Sequence, residues 1–160
     1  MARLTGGSQG INSFDQWLIG TVSGQTSTGF SVGAGTARQI DYVGSGFTYD
    51  AGGNVTSGAI TQINVTESNI LVMEISDIRI SVSTFRAFVT GGNAQGFLSS
   101  ILSGSDTISH PGDLGSPDLY DGFAGNDSID GAAGDDTLRG GTGSDTRVGR
   151  EHWFIDTAPS

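Results

Sequence analysis

Between Ile101 and Val148 the chain repeats a nine-residue unit built on glycine and aspartate. Its clearest stretch, residues 122–148, reads GFAGNDSID, GAAGDDTLR, GGTGSDTRV. Aligned on the Asp at the sixth position (Asp106, Asp118, Asp127, Asp136 and Asp145), the units are 101–109, 113–121, 122–130, 131–139 and 140–148. His110, Pro111 and Gly112 interrupt the first junction. The eighth positions are Ile108, Tyr120, Ile129, Leu138 and Arg147, apolar in all but the last. A period this short predicts a solenoid, because one unit cannot bury its own apolar residue and must stack on its neighbours to do so. A Gly/Asp-rich linker would share the composition. It would have no reason to keep Asp and an apolar residue in phase over consecutive nonamers.

The residue types point to a cation. Glycines at the first, second and fourth positions permit restricted backbone angles and let carbonyl oxygens crowd inward. The Asp adds a hard, charged oxygen, and Ca²⁺ takes six to eight such oxygens at flexible geometry. The three residues after each Asp read as a short strand whose middle side chain points inward. These units resemble the RTX (haemolysin-type) calcium-binding nonapeptide repeat, G-G-x-G-x-D-x-U-x with U apolar. The resemblance implies a parallel β-roll with two nonapeptides per coil and calcium between turns stacked on the same side. It implies that Asp106 faces Asp127, Asp127 faces Asp145 and Asp118 faces Asp136. Backbone carbonyls near Gly104, Gly122, Gly125, Gly131, Gly134, Gly140 and Gly143 would complete the coordination. It further implies export from a Gram-negative bacterium by a one-step, type I route.

Charge follows the repeats. Residues 1–100 carry six acidic and four basic groups, a net of −2; residues 101–160 carry eleven and three, a net of −8. Without cations the acidic part repels itself, and with them the repulsion becomes coordination. The same charge excludes nucleic acid as a partner. There is no Cys, hence no disulfide framework. No apolar run is long enough for a transmembrane helix, and the N-terminus lacks the apolar core of a secretory signal. Hydrophobic residues make up 35% of the chain, below the roughly 45–50% of ordinary domains. A small core is therefore expected, with stability drawn from β pairing, ions or association.

The first hundred residues read mainly as β. Strands are predicted at 29–32, 39–43, 46–49, 59–65, 70–75 and 78–82, with turns at 50–54 (DAGGN) and 67–69. After Val82, Ser81 or Ser83 could cap a short helix holding Phe85, Phe88 and Val89, stopped by Gly91 and Gly92. A second helix from Asn93 through Leu102 would enter the roll and cover its first open end.

No HExxH zinc motif and no G-x-S-x-G element occurs, a Lys-bearing phosphate loop cannot exist in a chain without Lys, and the two histidines, His110 and His152, lack a partnered base. No enzymatic activity is expected. Arg147 at an inward position should end the roll, leaving Trp153, Phe154 and Ile155 to cap it. The alternative is that those three dock onto another subunit.

The expected fold is mainly β: an N-terminal β-rich domain (1–100) with one or two short helices and a helical connector near 83–102, a parallel β-roll (101–148), and a C-terminal cap or tail (149–160). The expected function is that of a secreted or cell-surface calcium-binding protein whose repeats fold on Ca²⁺ outside the cell. A second reading is a calcium-dependent subunit that assembles into a homo-oligomer or filament, and a third is a fragment of a larger enzyme.

Overall fold

A computed structural model describes residues 2–6, 21–33, 35, 37–109 and 117–149. Its first half is an antiparallel meander. Strands β2 (Val22–Ser23), β3 (Gly29–Val32), β4 (Arg38–Tyr49), β5 (Val55–Glu67) and β6 (Ile70–Ser76) pair in sequence order. Local chemistry sets the reversals. Glu67 pairs with Ile70 across Ser68 and Asn69, both at positive φ (51° and 64°), the conformation a two-residue type I′ hairpin demands. At the other end the Asp50 carboxylate accepts from the N–H groups of Gly52 (2.9 Å) and Asn54 (2.8 Å), closing the DAGGN loop.

Two expected elements differ. The segments 39–43 and 46–49 form one strand, β4, because bulges near Gly44 and Ser45 absorb the break in pattern without ending the pairing. The strand expected at 78–82 shrinks to β7 (Ile80–Ser81). Ser81 accepts from the Thr84 N–H and so caps helix α1 (Val82–Thr90), a bond worth about 1 kcal/mol. The alternation still does its work, since Ile78, Ile80 and Val82 are all buried. Gly91 caps the end of α1, and Asn93 accepts from Gly96 N–H to start α2 (Ala94–Ile101).

The helices close the core with a line of rings. Phe30 stacks on Tyr42 at 4.6 Å, Tyr42 meets Phe85 at 5.6 Å, and Phe85 meets Phe97 edge-on at 5.3 Å. Such contacts add to the burial of the large ring surfaces.

The second half is parallel. Strands β8 (Thr107–Ser109), β10 (Ser128–Asp130) and β12 (Thr146–Val148) stack in register, and β9 (Leu119–Asp121) pairs with β11 (Thr137–Arg139) as a separate sheet. Successive repeats therefore alternate between two sheets, the arrangement of a β-roll. A strand near the N-terminus, β1 (Arg3–Gly6), joins the halves. It pairs antiparallel with β6 and parallel with β8. At the edge of β8, the open end of the roll is covered by a strand. An open β edge needs backbone partners, which a helix has none to spare for.

One cross-strand row runs from β3 to β12: Phe30, Tyr42, Ile63, Ile75, Leu4, Ile108, Ile129 and Arg147. The buried members belong to one apolar cluster that also takes in Tyr120 and Leu138 of the second small sheet. The core is thin but continuous, and so reaches further than the composition suggests.

Candidate metal centre

Each repeat places its Asp at the bend before a strand. Asp106, Asp118, Asp127 and Asp136 are buried, and Asp145 in the last coil is half-buried. The next-but-one pairing holds throughout the roll. Asp106 N–H donates to Asp127 Oδ1 (2.9 Å), Asp127 N–H to Asp145 Oδ1 (3.0 Å), and Asp118 N–H to Asp136 Oδ1 (3.0 Å). The interruption after unit 101–109 does not disturb the first pair. The interrupting residues His110, Pro111 and Gly112 lie outside the described residues, as do His152 and the segment Trp153–Ile155.

The two oxygens of each carboxylate face different surroundings. Oδ1 holds the backbone of the coil before. Oδ2 of Asp127, Asp136 and Asp145 lies beside the first glycine of its own unit. A Cβ built on Gly122 would stand 2.4 Å from Asp127 Oδ2 and 2.6 Å from the Gly140 carbonyl oxygen. Gly131 and Gly140 leave the same room for Asp136 and Asp145 (2.7 and 2.1 Å). In these three units glycine at the first position makes space for the carboxylate.

Fourth-position glycines serve the stacking of the turns. Gly125, Gly134 and Gly143 share φ values of 132–135°, a region that side-chain-bearing residues avoid. A Cβ on Gly125 would lie 1.9 Å from the Gly104 carbonyl oxygen, and one on Gly143 would lie 1.7 Å from that of Gly125. Gly104, Gly125 and Gly143 thus form one column of close-packed turns.

The donor set fits a hard cation. Among the described residues no three His, Cys, Asp or Glu side chains converge, so an ion here must draw most of its oxygens from carbonyls, as calcium readily does. Asp127 Oδ2 is buried with no hydrogen-bond partner, a costly arrangement for a charged oxygen unless a cation meets it. Burial pushes the Asp127 carboxyl up to about 6. The nearby carboxylates of Asp106, Asp145 and Asp121 push the same way, against the bond from the Asp106 N–H. A divalent ion would reverse that balance.

Three supporting side chains carry no signal in the Asp/apolar phasing. Asn126 Oδ1 accepts from Ser144 N–H (2.8 Å) across one coil. Asp121 and Asp130, at ninth positions, accept from the N–H groups of Phe123 (2.9 Å) and Ala132 (3.0 Å). Phe123 and Ala132 sit at φ of 63° and 60°, and an Asx turn of this kind holds such a residue in place. Where the ninth residue is Arg139, the corresponding second position is Gly141. The pattern is visible in the sequence once the ninth and second positions are read together.

This geometry defines a parallel, roll-like solenoid of stacked Gly/Asp turns. Residues 118–146 match the RTX calcium-binding nonapeptide repeat in four copies, and repeats of this family bind Ca²⁺. The unit 101–109 lies outside that match yet stacks in the same column. The chain as a whole matches no curated protein and no solved structure.

Proposed function

We propose that this chain is a secreted, non-enzymatic calcium-binding protein whose repeats fold on Ca²⁺ outside the cell. Its N-terminal β-rich domain and C-terminal roll act as two parts joined near residue 100. Asp106, Asp127 and Asp145 supply the carboxylates of one column, with carbonyls near Gly104, Gly122, Gly125, Gly140 and Gly143. Asp118 and Asp136 supply those of the other, with carbonyls near Gly131 and Gly134. The observation that carries the reading is Asp127 Oδ2, buried and without a hydrogen-bond partner beside Gly122.

At low calcium the acidic repeats repel one another and remain open, a form suited to export. At millimolar calcium, ion binding becomes folding energy. A ligand at a thousand times its Kd stabilises the fold by about 4 kcal/mol. Titrating calcium while recording circular dichroism tests the proposal. A cooperative gain of β signal is expected, and identical spectra in chelator and in millimolar calcium would refute it.

A further inference from the structure

Three successive levels of the roll share one pair of backbone bonds. At the level of Asp127, its N–H donates to Asp145 Oδ1 (3.0 Å) and its carbonyl accepts from Thr146 (2.8 Å). At the level of Asp106, its N–H donates to Asp127 Oδ1 (2.9 Å) and its carbonyl accepts from Ser128 (2.9 Å). One level further, Ala2 makes the same two bonds: its N–H donates to Asp106 Oδ1 (2.5 Å) and its carbonyl accepts from Thr107 (3.1 Å). The register continues the match, with Arg3 opposite Thr107, Leu4 opposite Ile108 and Thr5 opposite Ser109. Ala2, Arg3, Leu4 and Thr5 therefore stand at the sixth to ninth positions of a repeat, with Leu4 at the apolar one.

We propose that residues 2–5 are a starting coil for the roll, which copies the backbone pairing of a repeat without its acidic side chain and passes ordering of the repeats to the antiparallel sheet. The missing carboxylate has a physical reason. In the repeats, Oδ1 is satisfied by the N–H of the level before. Behind β1 lies antiparallel β6, which does not continue that pattern. An Asp at this buried position would carry a charge without its usual donor, and Ala2 instead joins the apolar cluster. Because β1 is bonded to β8 on one edge and β6 on the other, opening of β8 frees one edge of the strand that borders β6.

The calcium arm of the test rests on the proposed function; the substitution arm does not. Hydrogen exchange is followed by mass spectrometry on the full chain and on Ala2→Pro, which removes the N–H donor, each in chelator and in calcium. Calcium should slow exchange at 70–76 together with 107–109 in the parent chain. Ala2→Pro should abolish the slowing at 70–76 and speed exchange at 107–109 by about tenfold, while 137–148 keeps its response. Calcium protection of the roll that leaves 70–76 unchanged, or an Ala2→Pro chain whose 107–109 exchanges like the parent's, overturns the proposal. If the roll ignores calcium, the calcium reading fails, and the two chains in chelator still decide this one by the same criterion at 107–109. Should Ala2→Pro also open β4 and β5, Ala2→Asp, which keeps the N–H, is judged by the same exchange at 107–109.

Discussion

Tyr42 and Ile129 lie in the same cross-strand row and are equally buried, yet they are held by different means. Tyr42 sits among rings, stacked on Phe30 and flanked by Phe85 from a helix. The strands around it are up to thirteen residues long and pair with their sequence neighbours. Ile129 sits on a three-residue strand between two others of the same length. Around it the bends are lined with carboxylates that repel one another. The antiparallel half is packed through rings and long apolar strands, whereas the bends of the roll bring buried carboxylates together. One sheet can thus be continuous in hydrogen bonding and divided in what stabilises it.

Separate lesions in the two halves should act by different routes. Phe85→Ala removes a ring that touches both Tyr42 and Phe97 and should cost about 3–5 kcal/mol. Chemical denaturation of the β4–β5 hairpin should show this loss equally in chelator and in calcium. A loss that calcium restores in full would mean that the antiparallel half has no stability of its own.

Gly125→Ala is the corresponding lesion in the roll. The new Cβ would lie 1.9 Å from the Gly104 carbonyl oxygen at φ 135°, and forced backbone geometry of this kind costs about 1–3 kcal/mol before the clash is counted. Gly46→Ala is the control, with positive φ but no atom within 4 Å of the new Cβ, at about 1–2 kcal/mol. The midpoint of the calcium titration should rise for Gly125→Ala and stay in place for Gly46→Ala.

Asp127→Asn sharpens the comparison without distorting the backbone. The amide oxygen still accepts from Asp106 N–H, so stacking survives, but the charged oxygen beside Gly122 is gone. Calorimetry should record a calcium affinity lower by about ten- to a hundredfold, in keeping with the roughly 1.5–3 kcal/mol of an interaction with a charged group. Unchanged affinity would remove Asp127 from the ligand set.

The legibility of the two halves differs as their physics does. The repeats could be phased from sequence because every unit carries its Asp at the sixth position, all but the last an apolar residue at the eighth, and the last three a glycine at the first. The Asp pairs implied by the resemblance to the RTX repeat are the ones bonded across the coils. In the antiparallel half, β3 and the two helices could be read from apolar spacing and caps, but the length of β4 could not, since a bulge is a tertiary accommodation. Strand β1 left no signal. Four residues that read as a repeat lacking its Asp are recognisable only beside the repeat they complete. Its position was settled by an unpaired edge more than a hundred residues away.

The smallest expected effect separates two carboxylates, one in each half. Asp50 is fully exposed at the hairpin tip, and the side chain and backbone of Asn54, then the Gly52 N–H, hold its carboxyl below the ordinary value of 3.8. A carboxyl lowered in the folded state contributes stability that is complete above its unfolded value and is lost as the pH falls through the folded one. The loop should therefore loosen only below pH 3.8, which the amide resonances of Gly52 and Asn54 would report. Asp50→Ala should abolish that pH response and leave the calcium titration unmoved. The two carboxylates share a chemistry, but Asp50 is satisfied by its own loop, whereas Asp127 Oδ2 has no hydrogen-bond partner among the described residues. A calcium midpoint that shifts on Asp50→Ala would show that coupling to the roll reaches the β4–β5 hairpin tip, beyond the β1–β6 border, and the two halves would then not be stabilised by separate means.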